Sequence, residues 1–144
     1  MTAIEVLIIC DDDLKPTMGN PGDAGYDLRS AIDLTLVAHQ RALVPTSVKI
    51  AMPQGIVGLV HPRSGLAAKN GITVLNAPGT VDSGYRGEVA VTLINHSDID
   101  FEIKRGDRIA QLVFQKYETA NFIEVTDLPG SQRGDGGFGS TGVK

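Results

Sequence analysis

Helical periodicity is almost absent from this chain, and that absence constrains its fold more than any other feature. Short β-type runs recur instead, at Ile4–Cys10, Tyr26–Arg29, Leu34–Ala38, Ala42–Met52, Ile56–His61, Ile72–Leu75, Gly87–Asn95, Phe101–Ile103, Arg108–Tyr117 and Phe122–Val125. Turn residues separate them, as in Asn20-Pro21-Gly22, Pro53-Gln54-Gly55, Asn70-Gly71, Ala77-Pro78-Gly79 and Arg105-Gly106-Asp107. Only Ser64–Asn70 reads as a helix, about two turns long. Many short strands with frequent turns predict an all-β sandwich, jelly roll or barrel. With 144 residues the chain supports one domain with a substantial core.

Charge and cysteine usage narrow the function. A formal net charge of -4 and a pI near 5.2 exclude a dedicated nucleic-acid binder, which needs a basic face. They leave room for a nucleotide enzyme, because a phosphate site needs only a few arginines and amides. The lone cysteine, Cys10, follows an apolar run and reads as a small buried residue in a reducing compartment. No apolar run approaches a membrane span, and the N-terminus lacks a signal-like pattern. The expectation is a cytoplasmic protein that engages neither membrane nor nucleic acid.

Five segments are unusual for turns that serve structure alone: Asp23–Leu28, Pro62–Ala67, Asn76–Tyr85, Arg105–Val113 and Arg133–Gly142. Arg63-Ser64-Gly65 opens the single helix, where free amides favour an anion, and Ser64 either caps the helix or donates to a phosphate. An N-cap beside a solvated arginine would share that pattern. Residues 133–144 hold five glycines and no β-alternation. Alone, they cannot bury enough surface to offset their ordering entropy, so they form either a frayed tail or a lid. Glycines there let the backbone approach a phosphate chain, Arg133, Ser140 and Thr141 add donors, and Phe138 is large enough to stack on a base. The stretch Asp82–Arg86, with Gly84 near its centre, reads as a hairpin tip. Asp82 suits a general base, while a turn-forming bond to backbone is the commoner fate of an aspartate in such a setting. Asp27 is a carboxylate of the kind Mg²⁺ takes alongside waters and substrate phosphates. Asp11-Asp12-Asp13 reads as a solvated acidic turn, and His39, His61 and His96 lack metal-ligand spacing.

Taken together and in order, these segments resemble the five motifs of the trimeric dUTPases (deoxyuridine triphosphate nucleotidohydrolases). The likeness spans Asp23 to Gly142, with no departure at the motif positions. It implies a jelly-roll-like β-clip domain over residues 1–128, with one short helix and a flexible Gly-rich C-terminal lid over 129–144. It implies a homotrimer with shared active sites, each closed by a neighbour's tail, and Mg²⁺-assisted hydrolysis of dUTP to dUMP and pyrophosphate. Such an activity lowers dUTP and supplies dUMP for dTMP synthesis. Carried over by position, Asp82 orients the attacking water, and Arg63, Ser64, Gly65 and Gln111 contact phosphates. Asn76, Gly79, Thr80, Val81 and Ala90 read the base edge, and Tyr85 packs under the deoxyribose. Phe138 stacks on uracil, Arg133 clamps the γ-phosphate with Gly139, Ser140 and Thr141 beside it, and Asp27 holds an Mg²⁺-bound water.

Two rivals share the fold. A dCTP deaminase needs a glutamate on the strand returning from the hairpin, where this chain carries Thr92 and no acid from Val89 to Asn95. A non-catalytic nucleotide sensor would be expected to have lost the aspartate or the tail, and this chain keeps both.

Overall fold

The computed structural model describes residues 2–144. Twelve strands run in chain order, with one α-helix between the seventh and eighth. They are β1 (Leu7–Ile9), β2 (Thr17–Met18), β3 (Gly25–Arg29), β4 (Leu34–Leu36), β5 (Arg41–Pro45), β6 (Lys49–Ala51), β7 (Ile56–His61), α1 (Ser64–Asn70), β8 (Ile72–Val74), β9 (Gly79–Val81), β10 (Ala90–Asn95), β11 (Phe101–Ile103) and β12 (Arg108–Lys116). The all-β expectation with one short helix therefore holds.

All pairings are antiparallel. One sheet runs β2-β3-β12-β7-β9, a second β5-β10-β8, and two ribbons pair β1 with β6 and β4 with β11. Alternation along each strand sends one set of side chains inward. In β7 Ile56 and Val60 are buried, and in β10 Val91, Leu93 and Asn95. Leu28, Val44, Leu93 and Ile103 are fully enclosed, and each such side chain contributes about 1.5–3 kcal/mol through burial. Ser30, Thr46 and Asn95 are the buried polar residues, and Asn95 is fully bonded. Its Nδ2 donates to Leu36 O at 3.0 Å and Ile99 O at 2.8 Å, and its Oδ1 accepts from Ser97 N at 2.9 Å and Ser97 Oγ at 2.8 Å.

Four sequence expectations change. The run Ala42–Met52 is two strands in different sheets. Between β5 and β6, Ser47 takes a left-handed φ of 69° and turns the chain from one layer to the other. Gly79, read as the end of the Ala77-Pro78-Gly79 turn, instead opens the strand Gly79–Val81, because β7 offers it an edge. Asp82–Arg86 is not a hairpin tip. The strands it joins, β9 and β10, lie in different sheets and do not pair with each other. Phe122–Val125 forms no strand: Phe122 is 93% exposed and Ile123 77%, and a lone strand with no partner leaves its backbone groups unbonded within the fold. The last strand ends at Lys116.

Candidate active site

The join between the two main sheets creates the first hollow. Because β9 belongs to one sheet and β10 to the other, the chain between them bridges a gap, and a cavity of about 320 Å³ opens there. Asn76, Gly79, Thr80, Val81, Tyr85 and Ala90 all line it, with Asp82 on its wall. Gly79 is required by close packing: a Cβ there would press on Val60 Cβ at 3.3 Å and Asn76 Nδ2 at 3.5 Å. The bridge closes through its backbone, Tyr85 N donating to Asp82 O at 3.1 Å. Arg86 Nη1 adds a bond to Ser83 O at 2.7 Å, and the Asp82 side chain stands exposed to solvent. Thr92 also lines this hollow.

A second, more polar hollow lies where β3, β12 and the end of β7 meet. Antiparallel register sets Asp27 opposite Gln111, and Gln111 opposite His61. Direct cross-strand partners share a face, so Asp27 and Gln111 stand side by side, and Arg63 and Ser64 follow immediately from the end of β7. Gln111 Nε2 donates to Pro62 O at 3.1 Å, tying the strand to the turn that carries Arg63. Gly25 makes this possible, since a Cβ there would collide with the Gln111 side chain, whose Cδ would lie 2.9 Å away.

Arg63 is the N-cap of α1, with φ -91° and ψ 127°, and no side chain caps the helix. Ser64 is the first helical residue and not the cap, which leaves its hydroxyl unused by the helix end. The helix stops at Gly71, whose φ of 68° gives a left-handed cap with its N–H on Ala67 O. Arg63 Nε lies 3.9 Å from Asp27 Oδ1, and Arg108 Nη1 3.7 Å from Asp27 Oδ2. Arg63 also donates from Nη1 to Arg108 O at 3.2 Å. Arg108 is the residue that motif reading missed. A register shift between Arg108 and Ala110 in β12 brings it to this cluster, and bulges of this kind re-aim side chains.

The metal expectation can be tested on this geometry. Among the described residues no three His, Cys, Asp or Glu gather as a ligand set. Asp27 offers one largely buried carboxylate, with two guanidinium groups nearby. That donor set fits an ion that keeps its waters and takes further oxygens from a bound phosphate, as Mg²⁺ does. It does not fit a metal held by protein alone. Cys10 takes no part in either hollow, and burial pushes its thiol pKa up.

The third group is the tail. Its turns close locally: Gly136 N on Arg133 O, Ser140 N on Gly137 O at 3.0 Å, Gly142 N on Gly139 O at 2.8 Å, and Arg133 Nε on Gly136 O at 2.6 Å. Phe138 has φ 50° and is wholly exposed. Arg133, Phe138, Gly139, Ser140 and Thr141 therefore lie together, apart from both other hollows. Within one chain the sequence-predicted residues form three separate groups: Asp82 with the cavity, Asp27 with Arg63, Ser64, Gly65 and Gln111, and the tail.

Comparison with known proteins places this arrangement. The chain is 57% identical over 146 residues to the deoxyuridine 5'-triphosphate nucleotidohydrolase of Bifidobacterium longum subsp. infantis, covering 96% of this chain and 90% of that protein. It is 55% identical over 128 residues to the nucleotidohydrolase of the same name from Nocardia farcinica, covering 88% and 78%. Among solved structures, the dUTPase of Staphylococcus bacteriophage 80alpha with dUPNHPP superposes with a TM-score of 0.88 at 28% identity, covering 96% of this chain and 99% of that one. The dUTPase family model matches residues 14–142, and the chain belongs to the dUTPase family.

Proposed function

We propose that the chain hydrolyses dUTP to dUMP and pyrophosphate at sites completed between three copies of itself. The observation that carries this is the β9–β10 cavity with the exposed Asp82 carboxylate on its wall, in a chain of this family. The cavity takes the nucleoside. Asn76 and the backbone of Thr80, Val81 and Ala90 read the uracil edge, and selection works by clash against the thymine methyl and by mismatched donors and acceptors against cytosine. Tyr85 lies under the deoxyribose. Asp82 accepts a proton from water and aims it at the α-phosphorus.

Phosphoryl chemistry of this kind needs alignment and charge neutralisation more than covalent help. Arg63, Ser64, Gly65 and Gln111 supply fixed donors, and Arg133 with Gly139, Ser140 and Thr141 supplies those that arrive with the tail. A triphosphate entering the second hollow competes with Asp27 for Arg63 and Arg108, and so frees the Asp27 carboxylate to hold a metal-bound water. Mg²⁺ bound with the substrate supplies Lewis-acid and template chemistry there. Residues 129–144 act as the lid of a β domain spanning 1–128, with Phe138 stacked on uracil, excluding water once closed.

Two observations support the shared site. The three groups of functional residues do not meet within one chain, and the segment after β12 exposes Phe122, Ile123, Val125 and Leu128. A contiguous exposed apolar segment marks an interaction surface. The chain contains no helix long and apolar enough to cross a membrane among the described residues, and we place the activity in the cytoplasm.

The test is pyrophosphate release from dUTP, dCTP, dTTP and UTP with Mg²⁺, beside an Asp82→Asn variant. Release from dUTP alone, lost in the variant while binding persists, is the expected result. Binding of dUTP without release by the intact protein would instead mark a sensor.

A further inference from the structure

The Tyr85 hydroxyl donates to the backbone carbonyl of Glu88 at 2.9 Å, so the phenol folds back across the base of its own loop. Gly87 permits the fold, because a Cβ there would lie 2.6 Å from Tyr85 Cζ. The receiving carbonyl belongs to no strand, since β10 begins only at Ala90. Two bonds orient it: Val89 N–H, in the same peptide plane, donates to Val48 O at 2.7 Å, and the Glu88 side chain holds the residue from the other side. Glu88 Oε2 accepts the Ser47 N–H at 2.7 Å, from 41 residues away in the turn between β5 and β6.

Ser47 is itself held firmly. Its φ of 69° is a conformation that a non-glycine residue keeps only when its surroundings enforce it. Its Oγ accepts the Asp11 N–H at 2.8 Å. On either side, Val89 N donates to Val48 O at 2.7 Å, and Thr46 Oγ1 donates to Val89 O. The β5–β6 turn is thus a fixed post on the body of the protein, and Glu88 is the tether from that post to the loop carrying Tyr85. A part-buried carboxylate accepting a backbone N–H makes one of the stronger protein hydrogen bonds.

We propose that Glu88, anchored on Ser47, is a positioning residue for sugar selection. By fixing the carbonyl that receives the Tyr85 hydroxyl, it fixes the ring against which the sugar packs, and with it the space denied to a ribose 2′-hydroxyl. The proposal rests on the reading of Tyr85 as the sugar floor given above.

The experiment compares kcat/KM for dUTP with kcat/KM for UTP in the full-length protein and in Glu88→Ala, Glu88→Gln, Tyr85→Phe and the double variant Glu88→Ala/Tyr85→Phe. In Glu88→Ala the dUTP-to-UTP ratio falls by about tenfold, mainly through a lower KM for UTP, as one anchoring bond is lost. Glu88→Gln keeps an acceptor oxygen and retains the ratio. Tyr85→Phe, which deletes only an exposed hydroxyl and leaves the core intact, lowers the ratio to the same extent. The double variant adds nothing, because both changes break one linkage. A ratio unchanged in Glu88→Ala or in Tyr85→Phe overturns the proposal, as does an equal fall in Glu88→Gln. Failure of the intact protein to release pyrophosphate from dUTP would overturn the proposed function and this inference with it. Failure confined to the variants overturns this inference alone.

Discussion

In the proposed reading the two ends of the substrate meet two differently built regions. The cavity assigned to the nucleoside is formed within one chain, between strands whose backbones are locked in ladders and whose other faces enter the core. Val81 and Val91 show this, each lining the cavity while being 7% and 1% exposed. The tail, by contrast, is a string of local turns around an exposed Phe138, with no apolar contact of its own to hold it. The Asp27 cluster is of a third kind, rigid in backbone but with its charges paired to one another at 3.7–3.9 Å, beyond hydrogen-bonding distance. On the proposed function, a site assembled this way would select the base with preformed walls and deliver the phosphate donors late, when closing also expels water.

Variants can break that contrast or sharpen it. The largest expected effect is at Asp82. Asp82→Asn should lower kcat by about a thousandfold with dUTP binding retained, within the range for a lost general base, as read by single-turnover pyrophosphate release. Removing residues 129–144 should lower kcat by about a hundredfold, as late-arriving donors are lost. Its Tm should stay within about 2 °C of the full chain's, since a segment outside the core contributes little to unfolding. A large fall in Tm would show that the tail packs on the body and that the two regions are not independent. Phe138→Ala should raise KM by about tenfold with a smaller change in kcat, the loss of one stacking contact. Gly25→Ala should raise KM about fivefold by displacing Gln111 from its place beside Pro62, a hydrogen-bond-sized effect. A null result there would mean the flexible Gln111 side chain regains its contact by another rotamer.

Much of the candidate site was legible in the linear order of residues. Arg63-Ser64-Gly65, the Asn76–Tyr85 stretch and the glycine-rich tail carry the small residues and fixed donors that an approach to phosphate and base would need. Ser64 shows the limit of such reading: a serine before a helix suggests a cap, yet the backbone gave that position to Arg63. Arg108 and Glu88 were missed for a different reason. Each acts on residues far away in sequence, Arg108 across a bulge to Asp27 and Glu88 across 41 positions to Ser47, and no local pattern marks such partners.

Strand content, the single helix and the separate character of the tail were therefore written in the sequence, because period and turn chemistry act over a few residues. Which sheet each strand joined was a tertiary decision. Gly79–Val81 and Ala90–Asn95 flank one short loop, and local rules pair such neighbours as a hairpin. They went to different sheets because β7 and β5 supplied edges whose burial gained more than a two-stranded ribbon could. The gap left by that choice is the cavity in which the nucleoside is proposed to sit.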